Sequence, residues 1–106
     1  MFVYQGSNIN ETCSYATLNL PSAVYAEKEG TFTNCQNRVQ RIWPAFMPLG
    51  EAKGDWQILL LLSDKLGKGL TYKNTQELFK DIVANVPAFA GMTYDKLADQ
   101  GMILTK

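Results

Sequence analysis

The feature that most constrains this chain is a change of hydrophobic period on either side of one Pro/Gly-rich stretch. Residues 44–54 carry Pro44, Pro48, Gly50 and Gly54 and have no regular apolar spacing. Before them the apolar residues come in short β-prone runs, and after them they recur at helical spacing. The resulting expectation is a single α/β segment over 1–106. It has strands and a loop at 1–43, a connector at 44–54 and a helical part at 55–106. In fold terms this is a partial Rossmann-like segment, with short strands in the N-terminal half and two to three helices in the C-terminal half.

In the first part, Phe2-Val3-Tyr4-Gln5 reads as a strand ended by Gly6-Ser7-Asn8, and Asn10 caps one helical turn. Ala16 to Leu20 alternates as a second strand, closed by Pro21, which lacks a backbone donor. Thr31 to Thr33 and Arg38 to Trp43 are short strands either side of a polar turn at Asn34 to Asn37.

Beyond the connector, Asp55 is expected to cap a helix running to Leu66 and stopped by Gly67. Its Trp56, Ile58, Leu59, Leu60, Leu61 and Leu62 cover most of the circumference, so it should be buried between neighbours. Asn74 with Glu77 caps the next helix, whose Leu78, Phe79, Ile82, Val83 and Val86 form one apolar stripe ended by Pro87. A last short helix, Tyr94 to Asp99, is capped by Thr93 and stopped by Gly101.

Bulk properties exclude several classes. At 46% hydrophobic residues the chain can build a modest core. Ten basic residues balance ten acidic ones, which gives no electrostatic case for nucleic acid or an anionic membrane. The unbroken apolar run Ile58 to Leu62 is far short of the roughly 20 residues that cross a bilayer. The first residues show no basic segment before an apolar core, so no signal peptide is read there. Asn10-Glu11-Thr12 fits a glycosylation acceptor, a chance match without secretion. The cysteines, Cys13 and Cys35, are expected to be reduced structural thiols of a cytoplasmic protein. With two cysteines and no histidine to complete four ligands, a self-contained metal site is not expected, and a Ser-His-Asp or Cys-His nucleophile within this chain is excluded.

Four groups could carry chemistry, each with a plainer alternative. Glu27 and Glu29 could form an acid/base pair, or a solvated corner whose side chains point apart. Arg38 and Arg41 could grip a phosphate or carboxylate bidentately, or pair with Glu27 or Glu29 across the turn. Thr31, Thr33 and Asn34 could cradle a ligand, or close the loop through local hydrogen bonds. Trp43 and Trp56 could stack on a ligand, or pack. These residues alone define no catalytic mechanism.

The order of residues is more specific. The run Thr12 to Ala23, reaching Glu27, resembles a pattern of the molybdopterin oxidoreductase superfamily. The resemblance continues through Glu27, Lys28, Gly30, Thr31, Phe32, Thr33, Asn34, Arg38, Val39, Gln40 and Arg41. It extends to Pro48, Gly50, Glu51, Ala52, Asp55, Trp56 and Ile58, and to the tail from Pro87 to Tyr94 with Leu97 and Gly101. Two branches are similar. One is the large iron–sulfur subunit of NADH-quinone oxidoreductase, the NADH dehydrogenase known as complex I. The other is the catalytic subunit of formate dehydrogenase.

Phe2 to Gly6 resembles the strand end of the complex I branch. Thr17 stands where the family has Asp, and Gln36-Asn37 where it has Glu-Gly. Asparagine tolerates the backbone shape glycine allows, but a threonine hydroxyl does not replace a carboxylate. That loss suits complex I, whose large iron–sulfur subunit carries no molybdenum.

The resemblance therefore implies a structural segment, from the C-terminal half of a protein like that large iron–sulfur subunit, supporting electron transfer from NADH to quinone. It would be part of an oxidoreductase without a complete active site in this chain, and with no catalytic residue. No cofactor would sit in this chain, and the parent would hold iron–sulfur clusters. Partners would be other subunits of a respiratory or redox complex. The location would be cytoplasmic, at a membrane through that complex. Under the formate dehydrogenase alternative, Gly30, Thr31, Asn34 and Arg38 would help hold a molybdopterin. A third alternative is a free-standing docking or assembly module. As a piece of a larger fold, the chain would carry an edge strand from a parallel sheet.

Overall fold

The computed structural model describes residues 1–105. It is an α/β fold, as expected, and its chain divides into two compact units that alternate along the sequence.

The first unit comprises Met1–Lys28 and Pro44–Leu70. Val3–Gly6 (β1) and Leu18–Pro21 (β2) pair in parallel, with Val3 opposite Leu18 and Gly6 opposite Pro21. Between them Glu11–Ser14 (α1) makes a single turn, and the Asn10 Oδ1 accepts from the Cys13 N–H at 3.1 Å. β2 begins two residues later than alternation suggests. Thr17 is taken up at the lead-in to β1, where its N–H donates to the Phe2 carbonyl and its hydroxyl accepts from the Phe2 N–H.

The long helix of this unit, Asp55–Lys65 (α2), corrects the sequence reading twice. First, its N-cap is Gly54, whose N–H donates to Gln57 Oε1 at 3.0 Å. Asp55 is drawn away by stronger partners. Its carboxylate pairs with the Lys28 ammonium and accepts from Gln5 Nε2 at 2.8 Å. Second, the helix is not enclosed. Ile58 is buried at 7% exposure, while Leu59, Leu61 and Leu62 are 54%, 53% and 46% exposed. This chain supplies too few neighbours to cover an apolar circumference. The helix ends as expected at Gly67, in a Schellman turn where Lys68 N–H donates to the Ser63 carbonyl.

The second unit comprises Glu29–Trp43 and the chain from Thr71 onward. Gly30–Thr33 (β3) and Arg38–Ile42 (β4) form an antiparallel hairpin. Met102–Ile103 (β5) adds a third strand against Arg38 and Val39. The sequence carries no sign of β5, which is too short for periodicity to register. Thr75–Asn85 (α3) starts at Asn74, whose Oδ1 accepts from the Glu77 N–H at 2.9 Å. Tyr94–Leu97 (α4) is capped by Thr93 and ends short of Asp99, because Ala98 turns to φ +43°.

This unit has a true core. Val39 from β4, Phe79 from α3, Met92, Tyr94 and Leu97 are all buried, with Val83, Phe89, Met102 and Leu104 packed around them. The Phe79 ring meets Phe89 edge-on at 6.1 Å and lies 5.2 Å from Tyr94. Chain reversal into β5 depends on Gly101. Its φ is +72°, and a Cβ there would sit 2.2 Å from the Val39 carbonyl oxygen.

Candidate functional site

In a parallel sheet, the strand carboxyl ends leave backbone groups free where loops diverge, and ligands settle in that crevice. The first unit has such a crevice where β1 and β2 end, with a volume near 550 Å³. Tyr4, Ser7, Asn8, Asn10, Cys13 and Asn19 contribute to its lining.

Most of these side chains hold the crevice in shape. The Tyr4 hydroxyl accepts from Asn10 Nδ2 at 2.7 Å and donates to the Asn8 carbonyl at 3.3 Å. The ring closes over Gly6, where a Cβ would fall 2.4 Å from that hydroxyl. Cys13 Sγ donates to the Asn10 carbonyl at 2.8 Å, and Asn19 Nδ2 donates to the Cys13 carbonyl at 3.2 Å. The side chains of Ser7 and Asn8 take no hydrogen bond among the described residues, so they remain available to a ligand. From sequence, Gly6-Ser7-Asn8 reads only as a strand end. A strand followed at once by a capped turn and a second strand is the signal that points to the crevice.

The hairpin residues separate into two places. Gly30 and Thr31 open β3, opposite Ile42 and Arg41. Asn34 and Arg38 flank the turn at the other end, about 13 Å along the strand at ~3.3 Å per residue. The turn closes on itself. Asn34 Oδ1 accepts from Gln36 N–H at 2.9 Å and Arg38 N–H at 3.0 Å, and Asn37 takes φ +59°. Asparagine thus keeps the left-handed position that glycine would fill. Arg38 Nη1 donates to the Gln100 and Gly101 carbonyls at 3.2 and 3.4 Å.

The two glutamates of the charged corner serve different partners. Buried Glu27 accepts from the Val24 N–H at 2.9 Å, capping the short 3-10 turn Tyr25–Glu27. Glu29 accepts from the Thr75 hydroxyl at 3.0 Å. Neither arginine pairs with either glutamate, since the ion pair among the described residues is Lys28–Asp55. Arg41 instead lies between aromatic rings, 3.6 Å from the Trp43 centroid and 4.1 Å from the Tyr94 centroid. Trp43 is 60% exposed, so it covers Arg41 from the solvent side rather than packing in a core.

Burial pushes the Asp55 carboxyl up, but the Lys28 and Gln5 hydrogen bonds and the Lys28 charge outweigh it. The net direction is downward from the usual 3.8. The Tyr72 hydroxyl is raised above 10.0, chiefly by its 2.5 Å hydrogen bond to Asp81. Among the described residues no three His, Cys, Asp or Glu side chains converge on a metal position, and both cysteines are free thiols. No helix of the described residues is long and apolar enough to cross a membrane.

Strand-end crevice, β-α-β connection and partly uncovered helix together define a piece of an α/β fold. The sequence profile of the molybdopterin oxidoreductases matches residues 1–65, and this chain belongs to that family. It is 41% identical over 91% of its length to YjgC of Bacillus subtilis (strain 168), provisionally named an oxidoreductase. It is 38% identical over 90% of its length to a protein of Staphylococcus aureus (strain USA300), provisionally named a formate dehydrogenase. The chain spans about 10% of the length of each.

The family implies a molybdopterin in the parent protein. The unpaired hydroxyl and amide of Ser7 and Asn8, in a crevice of this size, suit a polar part of such a group. The hairpin offers less, because the Asn34 carboxamide oxygen is already spent on its own turn.

Proposed function

We propose that this chain forms part of the cofactor-holding portion of a formate dehydrogenase-like catalytic subunit, in a parent that oxidises formate. The observation that carries the reading is the mostly apolar crevice at the ends of β1 and β2, with the Ser7 and Asn8 side chains in its lining free of hydrogen bonds among the described residues. The formate dehydrogenase name of a relative matched over 90% of this chain supports it. When bound, the molybdenum or tungsten carried by the molybdopterin would supply the two-electron redox centre. Ser7 and Asn8 hold its polar edge, and the Tyr4–Asn10–Cys13 hydrogen bonds keep that edge in place. In this reading Gly30 and Thr31 shape the hairpin near the cofactor, and Asn34 holds the turn. Arg38 ties the hairpin to the chain after α4 by donating to the Gln100 and Gly101 carbonyls. Other subunits of a redox complex accept the electrons.

The experiment is metal and pterin analysis of the native assembly, repeated with Ser7→Ala and Asn8→Ala together in the full parent. Molybdenum or tungsten with pterin, lowered in the double variant, is the expected result. A parent with iron–sulfur clusters and no pterin would overturn it.

A second reading, a structural segment of a protein like the large iron–sulfur subunit of NADH-quinone oxidoreductase, is favoured by one observation. The Thr17 hydroxyl, at the family's carboxylate position, accepts from the Phe2 N–H and has no negative charge to offer a cofactor. The pterin-free outcome, with quinone-reductase subunits as companions, is the one this reading expects.

A further inference from the structure

We infer that Arg41 is an oxyanion-binding residue, whose guanidinium takes a phosphate or carboxylate between the rings of Trp43 and Tyr94. Arg41 stands two residues from Val39 on β4 and so shares its face, the face turned to the core of the second unit. A guanidinium has two faces and an edge bearing five N–H donors. Both faces are covered, by Trp43 at 3.6 Å and Tyr94 at 4.1 Å. Stacking fixes the plane of the group and leaves in-plane hydrogen bonding as its only remaining directional interaction.

That hydrogen bonding is incomplete. Arg41 Nε is buried and has no partner among the described residues, and the guanidinium makes no ion pair there. Leaving a buried donor unpaired is unfavourable, and a charged one more so. The carboxylate closest along the paired strands, Glu29, is held by Thr75. Arg38, on the opposite end of the same strand, is committed to two backbone carbonyls. Arg41 is thus a cation held flat, with its charge unmatched in this chain. Two oxygens on one centre are the acceptor such a fork fits. The inference does not rest on the proposed function, since the crevice of β1 and β2 has no part in it.

The test is a titration of the isotope-labelled full chain with inorganic phosphate, followed at the arginine Nε–H signals. The Arg41 signal, displaced by two ring currents, should move saturably while that of Arg38 stays. Arg41→Lys keeps the charge but loses the fork, and should weaken phosphate binding about tenfold. If that variant loses its backbone spectrum, Trp43→Leu removes one stacking face while leaving Arg41 in place, and weaker binding is again expected. An Arg41 signal that drifts linearly with salt, or undiminished affinity in the folded variant, would overturn the inference. A parallel titration with acetate separates the sources. Preference for phosphate means a phosphate group, free or on a nucleotide. Preference for acetate means a carboxylate.

Discussion

The two units differ in how they are held together. The second unit has five large buried side chains in one cluster, on strand, helix and loop alike. In the first, the buried apolar residues are Ala23 and Ile58, and cohesion comes from polar ties such as Lys28–Asp55–Gln5 and the β1–β2 ladder. Parallel strands normally lie covered on both faces, yet Val3 and Leu18 are 39% and 49% exposed. The difference teaches that a small unit can close its core only if its layers are all present. The β-hairpin with its helices meets that condition, while two parallel strands and one leucine-rich helix do not.

Phe79→Ala should break the contrast most strongly. Removing a ring that touches both Phe89 and Tyr94 costs about 3–5 kcal/mol. Urea denaturation should show the loss, with hydrogen exchange rising across β3, β4 and α3 but not across β1 and β2. Gly101→Ala comes next. A positive φ alone costs roughly 1–2 kcal/mol for an L-residue, and the approach to the Val39 carbonyl adds to it. Loss of β5 protection in the exchange pattern is the readout. Asn74→Ala, which removes the α3 cap, should cost about 1 kcal/mol by the same denaturation.

Acid should act on the first unit. The Asp55 carboxyl is depressed in the folded chain, so its stabilisation is fully present above 3.8 and lost as pH falls through the folded value. The side chain is 46% exposed, so the effect is below about 1 kcal/mol. Thermal melts between neutral and acidic pH should show a drop that Asp55→Asn abolishes. Smallest of all, Leu59→Lys with Leu62→Lys should change stability by no more than about 0.5 kcal/mol each, as surface substitutions do. A large loss in the same melts would mean this face of α2 is covered in solution, and the contrast between the units would fall.

Much of this is legible in the sequence because it is local. Asn10, Asn74 and Thr93 announce their caps, Gly67 its helix end, and Asn37 its left-handed turn, since each effect is decided within a few residues. Asp55 misleads because its partners, Lys28 and Gln5, are distant in sequence. The α2 pattern does record an apolar surround, but a pattern states only that cover is needed, not that this chain supplies it. β5 has two residues and no period. The crevice escapes a sequence reading because it exists only once β1 and β2 lie side by side, whereas Arg38 and Arg41 can be singled out but not told apart. The rings of Trp43 and Tyr94 around Arg41, and the Gln100 and Gly101 carbonyls that hold Arg38, distinguish them, and both sets of partners are brought together only by the fold.

The alternation of the units along the chain has a consequence for synthesis. The hairpin of Glu29–Trp43 leaves the ribosome before Pro44–Leu70, the segment that completes the first unit, and well before its own helices. During translation at about 5–20 residues per second, the hairpin waits with the Val39 side chain uncovered while its neighbours on both sides assemble with each other. No single cut in the chain separates the units. A nick in 44–54 would leave each product holding half of both, so two-fragment complementation, rather than truncation, is the way to take this molecule apart.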